Sequence, residues 1–412
     1  MYKKTVLDNG LKVLTEYIPG FRSVSLGIWI NTGSKYETKK QNGISHFIEH
    51  MMFKGTRKYS AKDIAKIMDT LGGMLNAFTE KEQTCYYAKV SDYHLEDAVE
   101  LLSEMLLHSV LDKDEIEREK AVVLDEIRMS NDAPDEYVFE LFYKSLWPDH
   151  ALGRSTLGEE NIISGIKKEN IVNFMDDHYT ASNITVSAAG NVEHEKLLKQ
   201  VNKIFGRLKS GKKHKEESYI RTSKRKIIEF KECEQAYLCM GGEGLSQRNE
   251  EKYKIFVLDS ILGGSMSSRL FQEIREKRGL VYTISSFQHA FYNAGSFGIY
   301  ASAHAKNLKK IMDITFNIFE KLKKNGPTAE EIKRAKEHIK GGLILNFEST
   351  VNRMLRLAKS EFYSGKLIEF DEILRKIENV TYDDLLHTAN KYLNKDKFSL
   401  TILGPVKEEI KM

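Results

Sequence analysis

The sequence predicts an α+β protein of two structurally similar lobes from an internal duplication, each a mainly antiparallel sheet packed with helices. Three observations predict it. At 412 residues the chain exceeds what one ordinary hydrophobic core organises, so two cores are expected. Segments of the second half repeat segments of the first at a near-constant offset. Within each half, strand-type and helix-type patterns succeed one another.

The repeat is visible at three places. Asn183-Ile-Thr-Val-Ser-Ala-Ala-Gly190-Asn-Val192 reads as a strand running into a glycine turn before a helix, and Phe398-Ser-Leu-Thr-Ile-Leu-Gly404-Pro-Val406 repeats it 214 residues later. The helical patterns just upstream end in Tyr179 and Tyr392, 213 apart, and Asp114–Arg118 matches Glu330–Arg334 at 216. Near-equal offsets in the same order indicate a duplicated domain, and with only two copies the product is a pair of lobes rather than a solenoid. The boundaries expected are a first lobe over 1–208, a charged linker over 209–222 and a second lobe over 223–412.

Val24–Ile30 and Thr84–Val90 have strand character. Helical periodicity marks Ala61–Leu71, Leu95–Leu107, Lys113–Ser130, Glu251–Leu262, Leu308–Lys323 and Glu330–Phe347. Five prolines in the whole chain leave such helices room to run, and Pro327 follows Gly326 where a helix should begin.

Composition excludes several classes. A hydrophobic content of 41% with 30% charged residues reads as a soluble globular protein. Apolar runs such as Val24–Ile30 stop far short of the ~18 residues a bilayer span requires, and the N-terminal Met1–Asp8 has no apolar signal core. Cys85, Cys233 and Cys239 lack metal-type spacing and cannot all pair, which fits reduced thiols in the cytoplasm. The net charge of +4 is small. The densest basic stretch, Lys209–Lys215, has no interleaved aromatics and runs into Glu216-Glu217, so it reads as a solvated linker rather than a nucleic-acid surface. Gly263–Arg269 lacks the G-x-x-x-x-G-K-[ST] pattern of a nucleotide cradle.

The segment with most chemistry in it is Gly43-Ile-Ser-His46-Phe-Ile-Glu49-His50-Met-Met-Phe-Lys54-Gly-Thr56. On a helix, with Gly43 and Ser45 as its start, His46 and His50 stand one turn apart on one face with Glu49 beside them. Two imidazoles so placed can share a tetrahedral ion while the carboxylate acts on a water in the remaining position. His-x-x-acid-His arises by chance only about 0.05 times in a chain of this composition, and this inverted order is the inverzincin signature. A catalytic zinc needs a third protein ligand. Glu119 and Glu126, two turns apart on one face of the Lys113–Ser130 helix, both qualify, and periodicity does not choose between them. In the second half Ala335 and Gly342 stand opposite these glutamates, and Phe256–Ser260 stands opposite His46–His50. The whole set is missing from the copy, so one metal per chain, in the first lobe, is expected.

The chain resembles the pitrilysin/insulysin family of zinc peptidases, in its short processing-peptidase branch. The likeness covers His46–Thr56, Gly72–Thr79, Glu117–Ile127 and Arg275–Tyr282, and with them nearly the whole chain. It implies zinc held by His46, His50 and Glu126, the last being 76 positions after His50. It implies Glu49 as general base and Glu119 as an acidic residue supporting the zinc region. Asn76, Ala77 and Phe78 would belong to an edge strand on which a peptide substrate adds by β-augmentation. Tyr282 would donate to the scissile carbonyl or its oxyanion, with Arg275 fixing the bound chain or Tyr282 itself. The implied activity is a zinc-dependent endopeptidase that cleaves peptides or unfolded segments inside a closed chamber. Such chambers take four lobes, so a homodimer is expected, each active site completed by Arg275 and Tyr282 of the other copy, with no nucleic-acid or membrane partner. A non-catalytic scaffold of the same fold is the rival. His46, Glu49, His50 and Glu126 together with Arg275 and Tyr282 in one chain stand against it.

Overall fold

A computed structural model describes residues 1–212, 214 and 217–406. Lys213, Lys215 and Glu216 of the lysine-rich stretch lie outside the described residues.

One sheet is built from β1 (Tyr2–Val6), β2 (Lys12–Tyr17), β3 (Ser23–Ile30), β4 (Met74–Thr79), β5 (Thr84–Ser91) and β6 (Ile184–Gly190), in the spatial order β1-β2-β6-β3-β5-β4. The other is built from β7 (Lys226–Phe230), β8 (Ala236–Glu243), β9 (Thr283–Ala290), β10 (Gly295–Ala303) and β11 (Ser399–Gly404), in the order β7-β11-β8-β10-β9. β2 with β6 and β7 with β11 are the parallel pairs, and every other pairing is antiparallel. The order β2-β6-β3-β5-β4 therefore recurs as β7-β11-β8-β10-β9, which is the duplication seen as topology. The architecture is α+β, mainly antiparallel, as expected.

The helices that carry the argument are α1 (Ile44–Met51), α2 (Ala61–Leu71), α3 (Leu95–His108), α4 (Lys113–Asp132) and α5 (Pro134–Leu146). α2 starts where a capping box predicts: Ser60 Oγ accepts from Asp63 N–H, and the Asp63 carboxylate accepts from Ser60 N–H. It ends at Gly72 in the left-handed region (φ +59°). No helix among the described residues is long and apolar enough to cross a membrane.

The two compact units differ from the boundaries expected. One gathers Met1–Arg128, the stretch from Arg154 up to the lysine-rich segment, and Leu345–Leu367. The other gathers Met129–Gly153, the stretch from Glu217 to Ile344, and the chain from Ile368 onward. The 1–208 and 223–412 division thus needs correcting at two helices. α5, from the first half of the chain, buries Val138, Leu141, Phe142 and Leu146 against Cys239 and Leu403 of the second sheet. The helix Thr350–Ser364, from the second half, buries Met354, Leu357 and Ala358 against Leu14, Trp29, Cys85 and Ala189 of the first. Each exchanged helix covers the sheet face that its own unit's other helices leave bare. Covered on both faces, β6 is buried throughout and β3 from its second residue on, the small hydroxyl residues Ser25, Thr185 and Ser187 included. Contact with the exchanged helix is close at Gly27, where an added Cβ would lie 2.5 Å from Met354 Sδ. Its polar anchors are Glu361, 4% exposed, which takes Lys4 and Lys12 at 2.8 Å each, and Arg353, 2.7 Å from Glu16.

Candidate metal centre

α1 turns Ile44, Phe47, Ile48 and Met51 into the first unit's core. The 3.6-residue repeat then leaves His46, Glu49 and His50 on its other side. The helix starts at Gly43, as expected, but is capped differently. Gly43 is the N-cap, with φ +93°, and a Cβ there would sit 2.6 Å from Leu157 O, so glycine is required. Ser45 does not cap; a buried carboxylate from outside the helix does. Glu37 accepts from the N–H of Gly43 (2.8 Å), the N–H of Ser45 (2.8 Å) and Asn42 Nδ2 (3.1 Å), a negative charge at the positive end of the helix dipole. Burial pushes the Glu37 carboxyl up, opposed by those bonds.

α4 supplies the acidic side. Asp112 Oδ1 caps it by accepting from Asp114 N–H (2.9 Å) and Glu115 N–H (3.2 Å). Glu119 lies on its buried stripe with Ile116, Val123 and Ile127, while Glu126 is half-buried. The two glutamates that spacing could not rank now separate by the nitrogen each faces. Glu119 Oε1 is 2.7 Å from His50 Nδ1. Glu126 Oε2 is 3.5 Å from His50 Nε2 and 3.6 Å from His46 Nε2, and those two nitrogens are 3.2 Å apart. His46, His50 and Glu126 are the one group of three potential metal ligands, all within 4.8 Å of one another, found among the described residues.

These separations fit zinc. Ligand atoms about 2.0–2.1 Å from a tetrahedral ion lie about 3.3–3.4 Å from each other, close to the three observed. The donor chemistry fits as well. Burial and the neighbouring His50 push the His46 imidazole down to about 4, against the pull of Glu119, so it is neutral at pH 7 with a lone pair to give. Burial also lowers His50, but its bond to Glu119 and the charges of Glu126, Glu119 and Glu49 outweigh that and move it up overall. With Nδ1–H donated to Glu119, the His50 lone pair is on Nε2, the nitrogen that faces Glu126 and His46. Glu119 is itself held anionic. Burial alone would raise it, but His50 and Lys54, whose Nζ lies 2.5 Å from Oε2, bring it below the ordinary carboxylate range. We expect Glu119→Gln to weaken zinc binding by about 10- to 100-fold, read by competition with a chromophoric chelator. An unchanged affinity would mean that Glu119 does not orient His50.

Glu49 is not part of the donor triangle. Its Oε2 accepts from Thr79 Oγ1 at 2.5 Å, and burial raises its carboxyl against the opposing pull of Thr79 and His50. Thr79 closes β4, the outermost strand of its sheet, on which Asn76, Ala77 and Phe78 also lie. Asn76 Oδ1 accepts the Ala77 N–H (2.8 Å), and the Phe78 ring packs edge-on against Trp29 (5.6 Å). The Phe78 side chain is therefore turned away from the edge, and its backbone groups, one residue from Ala77, point to β5, so the Ala77 N–H is the group at the open edge. Arg275 and Tyr282 belong to the second unit. Arg275 sits on a single π-helical turn, Phe271–Glu276, with its guanidinium over the rings of Phe271 (4.9 Å) and Tyr282 (5.9 Å). Tyr282 stands just before β9 and is 71% exposed. Sequence reasoning missed Glu37 and Lys54 and gave Thr79 no partner. A signal existed only for Thr79, two positions from Ala77 and so on the same face of the strand.

The family model described as "Insulinase (Peptidase family M16)" matches residues 12–160, and that described as "Peptidase M16 inactive domain" matches 165–339. An uncharacterized zinc protease of Bacillus subtilis (strain 168) is 39% identical over 405 residues, covering 98% of this chain and 98% of that one. An uncharacterized zinc protease of Streptomyces coelicolor is 37% identical over 420 residues, covering 99% and 90%. A protease from Helicobacter pylori has the same fold, with a TM-score of 0.92 at 23% identity over 98% of this chain and 99% of that one. A protein from Pseudomonas fluorescens described as a peptidase M16 inactive domain has it too, with 0.92 at 20% identity over the full length of both. The second-half match to a domain described as inactive agrees with a repeat in which the four metal-side positions are occupied by other residues. On these grounds the chain belongs to peptidase family M16, the pitrilysin/insulysin family of zinc peptidases.

Proposed function

We propose that the chain is a zinc-dependent endopeptidase acting on peptides and unfolded segments, with one zinc per chain. The observation that carries this reading is the triangle of His46, His50 and Glu126 with Glu49 beside it but outside it. That division separates the residues that would hold a metal from the residue free to move a proton. Zinc bound there would supply a Lewis acid that polarises a peptide carbonyl and makes a water more acidic. The rest is the chain's own work. Glu49 takes a proton from the attacking water and returns it to the departing amine. Glu119 and Lys54 hold His50 in the tautomer that offers Nε2. The open edge of β4 receives an extended peptide as an added strand, whose carbonyl can replace Asn76 Oδ1 at the Ala77 N–H.

The test is hydrolysis of a quenched-fluorescent peptide, with cleavage sites mapped by mass spectrometry. Cleavage should stop on removal of metal by a chelator and return with one equivalent of zinc. No cleavage by the zinc-reconstituted protein would favour the scaffold reading instead.

We further propose that a homodimer encloses the substrate and that Arg275 and Tyr282 of one copy serve the zinc site of the other, Tyr282 donating to the carbonyl oxygen as it becomes an oxyanion. The support is the family's four-lobed chamber, the contact of Arg275 with Tyr282, and the exposure of the tyrosine. Mixed Glu49→Gln and Tyr282→Phe chains, each inactive alone, should regain part of the activity, up to about a quarter if dimers form at random. No recovery after verified chain exchange would place Tyr282 in the same chain as the zinc it serves. The unpaired cysteines Cys85, Cys233 and Cys239 support a reducing, cytoplasmic setting.

A further inference from the structure

We infer that Thr79 is a positioning residue for Glu49, and that through it the strand which receives the substrate also aims the general base. The inference rests on the peptidase reading above and extends it to a residue with no part in metal binding.

Three features support it. The first is register. Residues of β4 alternate between the two faces of the sheet. Leu75 and Ala77 pack against the core that α1 shares, whereas Phe78 packs against the opposite cluster with Trp29. Thr79 falls on the α1 side, and it ends the strand where Glu49 arrives.

The second is direction. An ionised carboxylate only accepts, so the 2.5 Å contact is a hydrogen bond from the Thr79 hydroxyl to Glu49 Oε2. Behind it, Thr84 Oγ1 is 3.4 Å from Thr79 Oγ1 and donates to the carbonyl of Thr32 at 3.0 Å. With both hydroxyl hydrogens committed, to Glu49 and to Thr32, the two oxygens are neighbours without a hydrogen bond between them. It is the pairing of Thr79 with the wholly buried Thr84 across the β4–β5 ladder that fixes the backbone carrying the hydroxyl.

The third is leverage. Glu49 has three rotatable side-chain bonds between its carboxylate and the helix backbone. A carboxylate on such an arm must be held to within about 0.5 Å for efficient proton transfer. α1 fixes only its Cα, and Thr79 fixes one oxygen. The other, Oε1, is left for the reaction. A peptide adding to the edge at Asn76–Phe78 stiffens the strand that carries this hydroxyl, so docking and base alignment share one backbone.

The experiment compares the wild type, Thr79→Val and Thr79→Ser. Valine keeps the shape and removes the donor; serine keeps the donor. Each zinc-loaded protein is assayed for kcat and KM on one quenched-fluorescent peptide, and its crystal structure is determined for the position of the Glu49 carboxylate. Zinc content and Tm serve as controls for folding. In Thr79→Val we expect kcat to fall about ten-fold with KM nearly unchanged, and the carboxylate to spread over more than one rotamer. In Thr79→Ser both readouts should return close to wild type. A Thr79→Val protein whose Glu49 keeps its single wild-type rotamer overturns the inference, as does a kcat within two-fold of an active wild type. A wild type with no chelator-sensitive activity would instead sink the peptidase reading, and the carboxylate position would still decide the role of Thr79.

Discussion

Glu49→Gln is expected to lower kcat/KM for peptide hydrolysis by about a thousand-fold, within the range that general acid–base groups contribute, while the protein keeps one zinc per chain. Geometry predicts this separation of effects. The three atoms that face one another belong to His46, His50 and Glu126, and no atom of Glu49 is among them. Glutamine has the same length, and its carbonyl oxygen can still accept from Thr79, so the side chain should stay in place. What it loses is the ability to take up a proton. Burial raises the Glu49 carboxyl toward the operating pH, which suits a group that must both accept and return a proton. The measurement pairs steady-state kinetics with metal analysis on the same preparation. Loss of zinc together with activity would move Glu49 into the ligand set. Full activity with zinc retained would remove it from the chemistry.

Much of the candidate site's geometry was legible in the sequence, for a reason peculiar to helices. His46, Glu49 and His50 lie within five residues, and helical geometry alone decides which side chains at such short range share a face. The candidate carboxylate ligand is different in kind. Glu119 and Glu126 share a face of α4 by the same rule, so the rule cannot rank them. Only the approach of α4 to α1 does so, by setting Glu119 against Nδ1 and Glu126 against Nε2 of one imidazole. The residues missed are those whose partners are distant in sequence and unmarked by any period. Glu37 caps α1 from outside it, Lys54 lies beyond the end of α1 yet fixes a carboxylate on α4, and nothing local signals either contact.

The fold shows the same division. Strand and helix positions were readable to within two or three residues, as at Ala61–Leu71 and Thr84–Ser91, because period and capping are local. Which sheet a helix covers is not local. α5 and the helix Thr350–Ser364 each have an apolar stripe, and a stripe states that a face is buried without naming what buries it. β6 even misleads on this point: Ile184-Thr-Val-Ser187 alternates as a strand with one wet face would, yet Thr185 and Ser187 are buried with the rest of the strand. A second layer was needed on the first sheet, and the chain supplies it from its other half.

His50→Ala should abolish stoichiometric zinc binding, weakening affinity by well over the ~100-fold that loss of an outer-shell partner costs. His50 serves the centre twice: Nε2 faces Glu126 and His46, and Nδ1 engages Glu119. Alanine removes one of three donors and also the group that links Glu119 to them. Glu119 keeps Lys54 as its partner, so the substitution leaves no buried carboxylate without a counter-charge. The metal-free fold should consequently survive, with a Tm near that of the metal-free wild type. This makes the outcome readable without any assay of activity. Zinc that binds only the folded state raises Tm in proportion to the logarithm of its concentration over Kd, so added zinc should raise Tm in the wild type and leave His50→Ala unmoved. His50→Ala with one tightly held zinc and a wild-type thermal shift would show that the triangle of His46, His50 and Glu126 does not hold the metal. The peptidase proposed here would then have lost its centre.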